Sequence, residues 1–485
     1  MSLQTVGQLS FDFFRSRPIK VEISPAPLSS DAGLLAVRQF DERIGLTEGF
    51  AGALRDTRDP VLSEQSLLVM VRQRIYGIIA DYEDQNDHDT LRSDPVFKLI
   101  ADRLPEDLDL ASQPTLSRFE NSVAISDLWR LRDELVDEFI GSFDEAPLFV
   151  TLDMDAFDDP AHGKQQLIMF HGYYDQYQYL PIIVTCAEND AVVLVGLRHG
   201  TCHASLGADD DLCYLVGRLR AVWPDVHIRV RADSGFATPV IYDVCEELGL
   251  TFTIGLGMNP RLKKMSDSLL EQAVQTFAET NEPQRLFLPV EYQADSWPAP
   301  RSVVIKVEVH AQGTNRRAVV TNRPGWFVEP QATYDEYAAR GESENRNKEL
   351  KRELKADRLS DHRFLANFFR LYLHAAALNL MIRLRRAAAL PKKTPLQLGL
   401  YNPLPAELLD EPDRKRFFNR RREHDPLAEG FACTWRTRLI KVAAEVITSA
   451  RRILIRLSGT WPHLDHFERV CRAVLNVGPA PGPSG

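Results

Sequence analysis

"PLFVTLDMDAF", residues 147–157, is a run of apolar residues that ends in acid. It reads as a buried β-strand. Successive side chains of a strand point to opposite faces, so Asp153 and Asp155 share one side. Working outward, short apolar runs follow in "QLIMFHGYY", "YLPIIVTCA" and "AVVLVGLRHG", and "DDDLCYLVGRLRAVW" (209–223) has helical spacing. "VHIRVRADSG" (226–235) is a further strand, which ends at Asp233. In "TPVIYDVCEELG", Thr238 suits a helix N-cap, Pro239 the first helical position and Gly249 the residue past the end. "LTFTIGL" (250–256) completes an order of three strands, helix, strand, helix, strand. That is a mixed α/β layer.

Around this layer the texture differs. Residues 1–20 read as poorly ordered or as an arm. Residues 31–145 read as helices, including "SEQSLLVMVRQRIYGIIADY" (63–82). The segment around Thr115, Ser117 and Arg118 is either a helical connector or the recognition helix of a helix-turn-helix. Residues 257–325 contain a helical patch and a β-hairpin turning near Gln312–Asn315. "YAARGESENRNKELKREL" (337–354) reads as one charged helix, and "RFLANFFRLYLHAAALNLMIRLRR" (363–386) as a long one. A Pro/Leu-rich linker spans about 391–412. Beyond it, "RKRFFNRRRE" (414–423) and "RTRLIKVAAEVITSARRILIRL" (436–457) read as basic helices before the tail "GPAPGPSG".

The net charge of −10 over 485 residues speaks against nucleic acid until its distribution is examined. Residues 351–485 carry 25 Lys+Arg against 13 Asp+Glu, so a basic surface sits on an acidic protein. Phosphate binding depends on such local surface. Segments 383–393, 414–423 and 436–456 are the candidate phosphate contacts. The six cysteines include no C-x-x-C pair, which points to reduced structural thiols. No apolar signal core or membrane span is expected, and the expected location is the cytoplasm, on the nucleoid when DNA-bound.

Carboxylates at the ends of sheet strands project into the crevice where ligands bind. Asp also terminates strands and caps helices, so neither Asp motif decides by itself. At about 100° per residue, Tyr337, Arg340, Glu344 and Lys351 fall within about 60° of each other, with Lys348 nearby. Glu344 and Lys348 also form an ordinary surface i, i+4 pair. Geometry leaves both a solvated helix and a site helix open.

Tyr337-x2-Arg340-x3-Glu344-x6-Lys351 resembles, at every position and spacing, the Tyr-Arg-Glu-Lys signature of bacterial insertion-sequence transposases. "ENRNKELK" is similar to the form in the 1380-type insertion-sequence family. "LDMDAFDDPAHGKQ" (152–165) and "RADSGF" (231–236) look like that family's two acidic motifs. The resemblance covers about residues 20–465. It implies a DDE transposase with an RNase H-like α/β catalytic core, a mixed sheet flanked by helices, and a β-rich insertion. The implied division is a helical DNA-binding or dimerisation region (1–145), the core (146–256 and 326–390), the insertion (257–325) and a basic helical C-terminal region (391–485). The resemblance implies Asp155, Asp233 and Glu344 as catalytic and metal-binding carboxylates. Asp153 is the alternative for the first, because Phe157 stands where such enzymes usually carry Thr. It further implies DNA contacts from Tyr337, Arg340, Lys348 and Lys351 and a homodimer on double-stranded DNA. Trp297 and Trp326 are candidates for the platform on which related transposases stack a flipped base, but a core or surface Trp is the plainer reading of each.

In-line attack on a phosphodiester builds negative charge on the entering and leaving oxygens. Two Mg²⁺ ions about 3.5–4 Å apart stabilise both, and Mn²⁺ is expected to substitute. A catalytically silent DNA-binding descendant is the alternative function. A metal-independent two-carboxylate glycosidase is a third reading, but it leaves the basic C-terminal region unexplained.

Overall fold

The computed structural model describes residues 9–11, 13, 16–17, 19–400 and 411–477. Residues 1–8 of the expected arm, 401–410 of the expected linker and the 478–485 tail lie outside them. Strands β1 (Leu9–Phe11) and β2 (Ile19–Val21) form an antiparallel ribbon, followed by β3 (Leu28–Ser29). The expected helical region contains α1 (Leu34–Ile44), α2 (Leu46–Gly52), α3 (Leu67–Ile79), α4 (His88–Leu91), α5 (Pro95–Ile100), α6 (Gln113–Asn121) and α7 (Ile125–Ile140). Local signals set these boundaries. The Ser66 hydroxyl accepts from Val69 N–H to cap α3, and Asp94 caps α5 ahead of Pro95.

The sheet grows from the opening stretch. β4 (Phe149–Ala156) is followed by a small three-stranded sheet of β5 (Asp159–Pro160), β6 (Met169–His171) and β7 (Gln176–Tyr179). "QLIMFHGYY" therefore leaves the main layer, which the sequence reading placed it in. Then come β8 (Ile182–Cys186), β9 (Val192–Gly196), α8 (Ala208–Val222), β10 (His227–Ala232), α9 (Pro239–Glu247) and β11 (Thr251–Leu256). Pro239 opens α9, and Gly249 follows it at φ +63°, as expected. β4 pairs antiparallel with β8, and β8 with β9, while β10 and β11 run parallel to β4. Helices flank this mixed sheet.

Residues 257–325 supply α10 (Pro260–Met265), α11 (Asp267–Thr280), β12 (Gln284–Tyr292), β13 (Arg301–His310) and β14 (Gly313–Thr321). These strands extend the central sheet: β14 pairs antiparallel with β11, giving the eight-stranded order β12-β13-β14-β11-β10-β4-β8-β9. The hairpin turns at Ala311–Gln312, one residue ahead of the expected position.

The charged stretch 337–354 is not one helix. α12 (Pro330–Ala338) ends before Arg340, α13 (Gly341–Lys348) begins after it, and residues 349–353 form a π-turn. The Ser343 hydroxyl donates to the Arg340 carbonyl at 2.8 Å, which helps to hold the new start. α14 (Phe364–Ala387) is long and apolar enough to cross a membrane by composition, yet 89% of its apolar window is buried inside the protein. It is the helix around which the helical layer packs.

α15 (Glu411–His424) matches the first basic segment, and α16 (Ala432–Trp435) follows. The expected helix at 436–457 is not formed. A single π-turn leads into β15 (Ala444–Ser449) and β16 (Arg452–Leu457), an antiparallel hairpin that pairs with β3; α17 (Leu464–Asn476) closes the chain. The β-branched "VIT" and "ILI" favour extended backbone, and Val446 donates its N–H to the Pro27 carbonyl at 2.9 Å. The C-terminal region is thus helical and stranded.

Candidate active site

The parallel register of β4 and β10, with Ala232 opposite Met154, brings Asp155 and Asp233 to one edge of the sheet on adjacent strands. Asp233 turns the chain there: its Oδ1 accepts from Gly235 N–H at 2.8 Å. Glu344 comes from α13. Arg340, in the break between α12 and α13, joins them. Its Nη2 is 3.2 Å from Asp155 Oδ2 and its Nη1 is 3.7 Å from Glu344 Oε1. Asn347 also donates to Asp155 Oδ2, at 2.6 Å. Burial pushes the Asp155 carboxyl up to about 6; Arg340 opposes the shift, and the charges of Asp233 and Glu344 add to it. The Asp155 carboxyl therefore lies within electrostatic reach of Asp233 and Glu344.

Tyr337 closes the site from α12. A Cβ at Gly255 would lie 2.5 Å from the Tyr337 hydroxyl and 3.2 Å from Ser234 N. Only a bare backbone in β11 lets the phenol settle against the Asp233 turn. Burial raises the Tyr337 pKa, and Arg340 opposes it.

The other expected residues are distributed unevenly. Asp153 is buried and makes two bonds to Arg231, at 2.6 and 2.7 Å, so its carboxylate is already committed. Lys348 is exposed and has no ion-pair partner among the described residues. Lys351, within the π-turn, pairs with Asp158 Oδ1 at 2.5 Å. Glu349 is fully buried between Arg385 at 2.5 Å and Arg346 at 3.0 Å. Trp297 lies in the core against Tyr242 and Tyr292, so it offers no free stacking face. Trp326 packs partly buried beside Tyr337 and Tyr334. Arg118 is exposed and donates to the Thr115 hydroxyl on the wall of a cleft of about 640 Å³ shared with Arg58 and Arg92. Arg383 and Arg385 are drawn into pairs with Glu138 and Glu349. Sequence reasoning missed Asn347 and Asp158. Asn347 sits three residues past Glu344, a helical neighbour spacing that could have revealed it.

Residues 11–398 match the family described as transposase DDE domain group 1, which is most of the chain. The chain belongs to that family. No protein of curated function matches it. A solved structure, the piggyBac transposase synaptic complex with hairpin DNA, is similar at 11% identity with a TM-score of 0.37, covering 82% of this chain and 88% of that one. That likeness adds nothing to the assignment. DDE transposases use divalent metal, and the donor set here suits it: carboxylates with hard oxygens, of which Asp155 is pushed up first by burial and further by the charges of Asp233 and Glu344. Among the described residues no three His, Cys, Asp or Glu side chains are grouped to hold an ion as they stand. Arg340 bridges Asp155 and Glu344 instead.

Proposed function

We propose that this transposase binds the terminal inverted repeats of an insertion sequence of the 1380 type and cuts and rejoins DNA at Asp155, Asp233 and Glu344. The observation that carries the reading is Arg340 linking the carboxylate at the end of β4 to the one on α13, beside the Asp233 turn. An RNase H-like core is the matching fold reading. Its support is a first strand, β4, with an antiparallel meander on one side and two parallel strands on the other. Mg²⁺ ions, or Mn²⁺ in their place, held by the three carboxylates would stabilise charge on the entering and leaving oxygens.

The chain's own residues do the rest. Arg340 neutralises Asp155 and ties it to Glu344. Lys348 reaches into solvent next to Glu344 and supplies a second cation for the backbone. Lys351, held by Asp158, braces the π-turn behind them. In this reading residues 1–145 bind DNA or a second subunit, the core (146–256 and 326–390) performs the cleavage, and the basic 391–485 region contacts phosphates. The protein works as a dimer on double-stranded DNA in the cytoplasm.

The test is cleavage of duplexes copied from the DNA flanking the gene, with Mg²⁺ or Mn²⁺. Wild type is expected to cut at a defined end. Asp233→Asn and Glu344→Gln are expected to bind the same duplexes and leave them intact. Cutting at the wild-type rate by both variants would sink the assignment.

A further inference from the structure

The three carboxylates present a problem for their own substrate, because a DNA strand must bring its phosphates alongside them. Arg340 is already engaged. The cations on the neighbouring face of the sheet are mostly engaged as well. Lys306 pairs with Glu308 at 2.7 Å, Arg285 with Asp335 at 2.5 Å and Arg323 with Glu336 at 2.8 Å. Arg317 is different. It is exposed and has no ion-pair or hydrogen-bond partner among the described residues.

Its placement follows from the sheet. Val319 packs with Tyr334 and Tyr337, so Arg317, two residues earlier on β14, faces the same side. β14 runs antiparallel to β11, and Ala318 lies opposite Leu256. Arg317 therefore stands level with the end of β11, at the edge where β4 and β10 release Asp155 and Asp233. Two strand spacings separate β14 from β10, or about 10 Å. Its charge is felt at both Tyr334 and Tyr337.

We propose that Arg317 is a positioning residue that binds a backbone phosphate of the DNA strand entering the Asp155–Asp233–Glu344 site, a few nucleotides from the bond that is cut. This rests on the transposase reading. The guanidinium fork matches a phosphate, and about 10 Å is the rise of about three base steps along a duplex axis. Its position on β14 makes the extension of the sheet part of the DNA grip.

The experiment uses the full chain and duplexes copied from the DNA flanking the gene. Arg317→Gln is expected to lower the slope of log affinity against log salt by about one and to raise KM more than it changes kcat. Arg317→Lys is expected to restore the slope. Neutral methylphosphonates are then placed one at a time along each strand. Wild type should lose affinity at one phosphate near the cut where Arg317→Gln loses none. Unchanged slope and methylphosphonate profile in Arg317→Gln, with wild type cutting normally, overturns this assignment alone. Wild type that neither binds nor cuts overturns the transposase reading and this assignment with it.

Discussion

Asp153 and Asp155 are two residues apart, carry the same side chain and face the same side of one strand, yet they meet different partners. Asp153 meets Arg231 on the adjacent strand in a buried two-bond pair. Removing one partner of such a pair leaves an uncompensated charge, which costs about 3–5 kcal/mol. Asp153→Asn is therefore expected to lose about that much stability in urea unfolding. Asp155→Asn leaves Arg340 with Glu344, so it is expected to unfold within about 1 kcal/mol of wild type while DNA cleavage disappears. An Asp153→Asn protein as stable as wild type would contradict the structural role given to that pair. Sequence spacing placed both acids on one face, but their division was not legible there. It depends on Arg231 opposite Asp153, a register that only pairing establishes.

At the scale of elements, periodicity served well where one face is buried and poorly where neighbours bend the backbone. α14 was legible because it is apolar over many turns. The charged stretch 337–354 was read as continuous because nothing local forbids it. Its break at Arg340 and its π-turn follow from tertiary demands: Arg340 must reach Asp155, and Glu349 must reach Arg385 inside the protein. The segment 436–457, whose hairpin spans 444–457, was misread because its apolar residues fit both periods, and pairing with β3 decided the matter.

α14 also carries a pH signature. His374 is buried beside Arg74 and Arg370, and burial first, then those charges, hold its pKa down at about 3. The folded value lies below the unfolded 6.5, so this stability is present above pH 6.5 and is lost as pH falls toward 3. Unfolding free energy should decline through that window, and His374→Asn should flatten the decline.

Across the whole molecule, opposite charges are segregated. The acidic balance lies with the first 350 residues, and the basic one with the segment that contains α15. On α15, Arg414, Lys415 and Arg422 are exposed and have no ion-pair partner among the described residues. Replacing all three by Gln is expected to reduce the salt slope of duplex binding by about two to three. An unchanged slope would remove α15 from the DNA-binding surface. The helical layer also completes the sheet. Asn379 of α14 donates to the Val192 carbonyl and accepts from its N–H, both at 2.8 Å, which satisfies backbone groups of the edge strand β9.

The mixed α/β layer, the helical region before it, the acidic strand ends and the four-residue signature are all legible along the chain. These are local patterns, written in apolar periodicity and spacing. Tertiary structure alone decided which Asp is committed to Arg231 and which meets Arg340, where the signature helix breaks, which cations are already paired and that the strands of 284–321 extend the central sheet. Each of those depends on a partner far away in the chain, and short-range spacing carries no record of it.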